Sequence, residues 1–370
     1  MFKSINLTKN IGLLLSLLKD NERKSIPQII ADVSKMAIKQ RCIPKHYLTS
    51  FVYKKDRENI LDFLPAKLFD DMKLKYNDRD VIEVLENKLF FNFFYDKVGI
   101  CLPKLLMYNH KKMFVIGNRN IEINNVHDFR LQLISLIQDN LPANSIFIKK
   151  TSGTYGGAQI YKVTSGDLSV SSSKIDSLYQ EVSKSGYLFQ ETIIQHPDLD
   201  ILNPSCINTV RFDTFIDRTG KAEIISAYIR MSNTNIHVDN TGSGGSAVSI
   251  DMSTERLKKY GYMPFGKRGG LRLTEHPLTK TVFEGFKIPD FEKAKELVVK
   301  AASMMPGLRL IGWDVGIGIS GPVLIEGNSE YDLHGGDILY GGLGANPVFR
   351  KAMEEFRHFS KFMPELDVWT

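Results

Sequence analysis

The sequence predicts an α+β protein in which a mostly helical N-terminal region precedes short strands linked by turns and a few helices. Three observations lead there. Up to about residue 98, apolar residues recur at helical spacing in charged stretches such as Ile29 to Arg41 and Val81 to Lys97, interrupted by Pro27, Pro44 and Pro65. Around Cys101-Leu102-Pro103 the texture changes to short β-rich runs separated by turns. Two pairs of longer runs, Asn208 to Asp217 with Ala222 to Ser232, and Arg309 to Ile317 with Gly321 to Gly327, flank tight turns and read as antiparallel hairpins. This order of elements argues against a doubly wound parallel sheet.

In chain order, the strands Met113 to Ile116 and Ile146 to Lys149 enclose a helix from about His127 to Asn140. A helix near Lys174 to Ser185 leads to the strand Tyr187 to Ile194, and the first hairpin follows. A glycine-rich loop spans Asn240 to Gly245. A helix from about Phe291 to Met305 precedes the second hairpin, and a last helix starts near Asn346-Pro347. No repeat or low-complexity segment stands out.

At 370 residues the chain is long enough for two or three domains. Its net charge of +6 is mild and comes without a basic block, which argues against nucleic acid and suits anionic small substrates. Cys42, Cys101 and Cys206 are far apart and lack metal spacing, so a reducing compartment is expected. The apolar run Ile11 to Leu18 is too short for a bilayer, and Lys19, Asp20 and Glu22 follow where a cleavage site would stand. It reads as an amphipathic helix. The expectation is a soluble, cytoplasmic protein without stable membrane insertion.

Three constellations carry chemistry. In the segment Ile146 to Gly157 a strand ends in Lys149 and Lys150 and runs into a loop with Gly153, Gly156 and Gly157. Glycines let backbone N–H groups approach phosphate, and a strand-end lysine can neutralise its charge, although a hairpin turn with a solvated lysine would read alike. Next, Asp314 on one strand faces Glu326 and Asn328 at the end of the next. These are hard oxygen ligands of the kind Mg²⁺ prefers, and residues two apart on a strand share a face. A structural hydrogen-bond role for Asp314 stays open. Finally, Arg211 and Arg230 on neighbouring strands can converge on one anion, with Asn240, Gly244 and Gly245 following in a loop that offers backbone donors.

The order of these features over about 180 residues resembles the ATP-grasp superfamily, its glutathione-synthetase-like ligases in particular. Upstream, Asn87-Lys88-Leu89 and the turn Gly99 to Pro103 fit the same pattern, with Asn87 where aspartate is usual. More narrowly, Gln190-Glu191, His196, Asn208 to Arg211, Gly244-Gly245, His276-Pro277 and Ile288-Pro289 resemble the sugar-transfer-associated ATP-grasp family over roughly residues 85 to 345. The resemblance implies two α+β lobes gripping ATP between antiparallel sheets. It divides the chain into a helical region 1–98, a first lobe 99–190, a second lobe 191–345 with the metal site, and a C-terminal helix 346–370. It implies ATP lysines at Lys88 and Lys149, a glycine lid over residues 153–157, and an adenine-binding hinge at Gln190, Glu191 and Ile193. Mg²⁺ would sit on Asp314, Glu326 and Asn328, with Arg211 and Arg230 as catalytic cations.

The implied activity is an ATP-dependent carboxylate–amine ligase working through an acyl phosphate. Its reactants would be small molecules, with a sugar or surface-polysaccharide precursor and an amino acid suggested by the family's context. Two rivals share the nucleotide site: a phosphotransferase acting on a hydroxyl, and a non-catalytic nucleotide-binding module. The products tell them apart.

Overall fold

The computed structural model describes residues 17–139, 143–154, 158–168, 173–234, 244–266 and 269–362. Most of the run from Ile11 to Leu18 lies outside them.

The first helix, α1 (Ile26–Gln40), starts where the Ser25 hydroxyl accepts the Gln28 N–H and ends at Arg41 in a left-handed conformation (φ 51°). The second, α2 (Ala66–Tyr76), starts after Pro65 and buries Leu68, Phe69, Met72 and Tyr76 along one face. The stretch expected as one helix from Val81 to Lys97 is broken. A short helix over Glu83–Glu86 stops at Asn87, which is extended (φ −103°, ψ 107°), and α3 (Lys88–Lys97) begins anew. The cause is the asparagine side chain: its Oδ1 accepts the N–H groups of Leu89 at 3.0 Å and Phe90 at 3.3 Å, offering the backbone a cap in place of a continuous helix.

The first sheet contains β1 (Leu105–His110), β2 (Met113–Ile116), β3 (Arg119–Glu122), β4 (Ser145–Lys150), β5 (Ile160–Thr164) and β6 (Gly186–Glu191), in the order β3-β2-β1-β6-β4-β5. Every neighbouring pair is antiparallel. Two helices, α4 (Val126–Gln138) and α5 (Ser173–Val182), cover one face. Phe129, Leu133, Ile175 and Tyr179 pack there against Ile146, Ile148 and Phe189. Because β4 alternates, Ile146 and Ile148 enter this core while Phe147 and Lys149 face the other way. The strand β6 stops at Glu191, short of the expected Ile194.

After β6 the chain turns onto the second sheet. Ile194 accepts the Ile319 N–H, and Ile317 accepts the His196 N–H. A short helix α6 (Pro197–Leu202) precedes β7 (Val210–Ile216), β8 (Ala222–Met231), β9 (Ser246–Asp251), β10 (Arg256–Gly266) and β11 (Gly269–Leu273). Then come α7 (Phe291–Ala302), β12 (Leu310–Gly318), β13 (Gly321–Asn328), α8 (His334–Tyr340) and α9 (Pro347–Phe362). The seven strands run β11-β10-β9-β8-β7-β12-β13, again antiparallel throughout.

On one face α7 packs Ala294, Val298 and Ala301 in the same core as Ile311, Trp313 and Val315. The register fixes the opposite face: Leu310, Gly312 and Asp314 of β12 stand against Phe215, Asp213 and Arg211 of β7. Helices α2 and α9 cover the Leu310–Phe215 end. Tyr47, Phe51 and Phe63 of the N-terminal region cover Tyr228, Ala247 and Tyr262 together with Ile338 and Leu339 of α8. The uncovered remainder, around Arg211, Asp314 and Glu326, faces the first sheet. Among the described residues no helix is long and apolar enough to cross a membrane.

Candidate active site

Between the sheets lies a cleft of about 1010 Å³, at the upper end of the roughly 300–1,000 Å³ usual for ligand pockets. Its floor is set by strand register. Asp314 stands opposite Arg211 on one side and Glu326 on the other, and Gly312 stands opposite Asn328. Asp314 and Glu326 therefore meet across one rung, with Asn328 two residues along the same face. The Asn328 amide donates to Glu326 Oε1 at 3.4 Å.

Two arginines converge on Asp314. Arg211 Nε donates to Oδ1 at 2.5 Å and Nη2 to Oδ2 at 3.1 Å, while Arg230 Nη2 reaches Oδ2 at 2.8 Å. Burial would raise the Asp314 pKa, but Arg211 and then Arg230 outweigh it and hold the carboxyl well below the usual range. Thr209 Oγ1 accepts from Arg230 Nε at 3.1 Å and Nη2 at 2.9 Å, so the guanidinium is held on both sides. The tight assembly requires a glycine at 312. A Cβ there would stand 2.7 Å from the Tyr331 ring and 3.1 Å from Arg211 Nη1. Similarly, a Cβ on Gly327 would meet the Trp313 ring at 2.8 Å.

Lys88 and Lys149 reach the same place from different elements. Lys88 opens α3, its backbone N–H donating to Thr151 O at 2.7 Å just beyond β4. Its Nζ lies 3.6 Å from Glu326 Oε2. Lys149 projects into the cleft from β4. It stays partly accessible through the cleft mouth although protein surrounds it, and burial lowers its pKa to about 8. Lys88 adds to that fall, while Glu326 and Asp314 oppose it. Lys150 points to the other side, towards Glu181.

At one end the wall is apolar: Phe147, Ile160, Ile193 and Ile325, with the exit from β6 at Glu191 and Thr192. Glu191 turns its Oε1 back to the Lys104 N–H at 2.9 Å. The Gln190 side chain is buried and aimed at Pro103 O, at 3.4 Å, outside the cleft wall. Gly153 takes a left-handed conformation (φ 71°) beside Thr154, which lines the cleft. Gly244 (φ 99°) and Gly245 stand just before β9, where Asn233 donates to Gly244 O at 2.9 Å, and neither lines the cleft. Gly156, Gly157 and Asn240 lie outside the described residues.

The cleft also brings in residues that reading the sequence passed over: Asp200, Thr209, Tyr228, Glu330, Asp332 and, from the N-terminal region, Thr49. Alternation along β8 places Tyr228 on the same face as Arg230, so that residue could have been found. Thr49 joins from the N-terminal region, 39 residues before the nearest other cleft residue, Lys88, and carries no local signal. Among the described residues no three His, Cys, Asp or Glu side chains cluster as a metal cage. The oxygen set here is two carboxylates and one amide. Two carboxylates meeting across a rung call for a cation or a shared proton, and the open side towards the lysines leaves room for phosphate oxygens and water to complete a Mg²⁺ shell.

No curated protein sequence matches the chain. Among solved structures it is similar to carboxyaminoimidazole ribonucleotide synthase from Aspergillus clavatus complexed with ATP (12% identity, 68% of this chain and 46% of that one, TM-score 0.40). It is also similar to D-alanyl-alanine synthetase A from Vibrio cholerae (14%, 73% and 65%, TM-score 0.41) and to the D-cycloserine synthetase DcsG (10%, 79% and 80%, TM-score 0.44). The chain spans about half the length of the fungal synthase. These likenesses are distant, and a firmer one comes from the sequence itself: residues 68–351 match the model of the sugar-transfer associated ATP-grasp family, to which the chain belongs.

Proposed function

We propose that the protein is an ATP- and Mg²⁺-dependent ligase that joins a carboxylate to an amine through an acyl phosphate. The observation that carries this reading is the convergence, in one cleft, of two lysines, two arginines and the Asp314–Glu326–Asn328 oxygen set, between an apolar end and a polar end. The first lobe is taken as residues 99–190 and the second as 191–345, with 1–98 and 346–370 as flanking helical parts.

The apolar end suits adenine, held against Phe147, Ile160, Ile193 and Ile325 with the backbone of Gln190 to Ile193 as its hydrogen-bonding edge. Asp200, whose Oδ1 accepts from Gln195 Nε2 at 2.7 Å, suits the ribose hydroxyls. Lys88 and Lys149 then meet the phosphates, and Gly153 belongs to the loop that covers them. Gly156, Gly157 and Asn240 are proposed as further phosphate-side backbone donors, whereas Gly244 and Gly245 stand off the cleft wall. The fit of Asp314, Glu326 and Asn328 to Mg²⁺ makes them its holders, and the ion when bound supplies charge neutralisation between the phosphates.

The chain's own residues do the rest. Arg211 and Arg230 present N–H groups to the phosphoryl group as it moves from ATP to the substrate carboxylate. Asp314 holds both guanidinium groups in place beforehand, so little reorganisation is needed at the moment of transfer. Closure of the loop keeps the acyl phosphate from water until an amine displaces phosphate. The reactants are small molecules, with a sugar or surface-polysaccharide precursor and an amino acid as the pair proposed, in a soluble, cytoplasmic setting.

The test is a screen of acids with and without amines, scored by ADP release and product mass. A ligase needs both partners and yields an amide plus free phosphate. ADP release with a phosphorylated product and no need for an amine would make the protein a phosphotransferase. Bound ATP with no turnover under any combination would make it a binding module.

A further inference from the structure

The cleft's charges are unevenly paired. Asp314 is held by two arginines, Glu326 lies by Lys88, Glu191 accepts a backbone N–H, and Asp200 accepts from Gln195. At the far end, beyond the arginines, Asp332 and Glu330 also line the cleft, and neither forms an ion pair among the described residues. Asp332 Oδ1 accepts the His334 N–H at 3.1 Å, which fixes the carboxyl while leaving Oδ2 uncommitted. Beside it, the Tyr228 side chain is 5% exposed and lines the cleft. Its hydroxyl has no hydrogen-bond partner among the described residues, and it lies 3.2 Å from where a Gly335 Cβ would stand, along the cleft wall. Tyr228 faces Arg211 in the strand register and lies within electrostatic reach of Arg230 and Asp332, so it stands between the cationic centre and the acidic end. The side chain is nearly buried, and its unpaired hydroxyl opens only onto the cleft, where a ligand can complete it.

Resting on the ligase reading, we infer that this end is the amine subsite, with the substrate's ammonium group held by Asp332 and by the Tyr228 hydroxyl. The nitrogen is then next to the arginines that steady the phosphoryl group, which is where a nucleophile for an acyl phosphate has to be. One ammonium proton passes to the Asp332 carboxylate and on to solvent. The nitrogen's freed electron pair forms the C–N bond, the C–O bond to phosphate breaks, and the second N–H proton leaves with the phosphate. His334 does not compete for Asp332 as a cation, since burial lowers its pKa. Its Nε2 is spent on the Ser50 hydroxyl at 3.1 Å and the Thr49 hydroxyl at 3.4 Å. Those contacts join the N-terminal region to the end wall, so this region closes the pocket and limits the amine's length.

Hydroxylamine separates this inference from the reading beneath it. It is small and uncharged at neutral pH, and it traps acyl phosphates as hydroxamates. The full-length protein with ATP and Mg²⁺ is given hexuronic acids and amino acids as carboxylates, and hydroxylamine competes against amino acids or hexosamines. Asp332→Asn is expected to lower the amide-to-hydroxamate ratio by at least about tenfold, the loss of a charge-assisted hydrogen bond. Tyr228→Phe lowers it less, and Asp332→Glu, which keeps the charge, holds it within about threefold of wild type. An unchanged ratio in Asp332→Asn overturns the amine subsite and leaves the ligase reading standing. Absence of hydroxamate from wild-type protein with every acid overturns both.

Discussion

Lysine choice at the end of β4 is decided by alternation. Lys149 shares a face with Phe147 and enters the cleft, whereas Lys150 turns towards Glu181. Lys149→Ala is expected to weaken ATP binding at least about tenfold, and Lys150→Ala by much less; titration calorimetry with ATP and Mg²⁺ measures both. The pH dependence has a definite sign. Burial lowers the free Lys149 to about 8, while bound phosphate favours the ammonium. Binding near pH 8 to 9 therefore takes up a proton, and affinity falls as pH rises through about 8. Calorimetry in buffers of different ionisation enthalpy reads that proton, and Lys149→Ala should abolish it. Glu326→Gln tests the metal assignment. ADP release should drop at least about a hundredfold, since several kcal/mol of charge stabilisation are at stake, with the melting temperature nearly unchanged. A structural role would give the reverse, a lower melting temperature with turnover per folded molecule retained.

At the scale of elements, the hairpin of β12 and β13 was legible because its chemistry is local. Asp314, Glu326 and Asn328 lie within one turn-linked pair, and alternation alone puts them on one face. The convergence of Arg211 and Arg230 was legible in part. Their strands read correctly, but the anion they meet in this structure is Asp314, about a hundred residues on, and only the β7–β12 register brings it there. Several strands escaped the reading. The short β1, β3 and β5 are polar or charged at many positions, and β9 to β11 follow the glycine loop with weak alternation. Asn87 looked like an imperfect motif position and proves to be a helix cap. The tight seat of Gly312 gives a test of the assembled floor. Gly312→Ala must displace Tyr331 or Arg211, costing about 1–3 kcal/mol as overpacking does. Urea denaturation should show that loss, with ADP release falling further than the folded fraction explains.

For the whole molecule, the second sheet is a platform covered on one face by α7 and on much of the other by α2, α8, α9 and the N-terminal region, leaving a gap that is the cleft. Two buried carboxyls lie at α8, Asp213 of β7 beneath it and Asp337 on the helix itself. Burial raises Asp213 to about 7, with Arg211 and Ser226 opposing, and Asp337 to about 8, with N–H donors from Leu343 and Leu64 opposing. Both stand above their unfolded values. The native state therefore holds extra protons between about pH 4 and 8, and stability is lost as pH rises through that window. Asp213→Asn should flatten this loss, read as a smaller difference in urea midpoint between pH 5 and pH 8. In the proposed reaction a carboxylate is activated by phosphoryl transfer before an amine attacks. With the acid selected by the ADP-release screen labelled with ¹⁸O in both carboxyl oxygens, mass spectrometry of the released phosphate tests it directly. One ¹⁸O is expected in the phosphate and one in the amide. Unlabelled phosphate, or a phosphorylated product with no phosphate released, would contradict it.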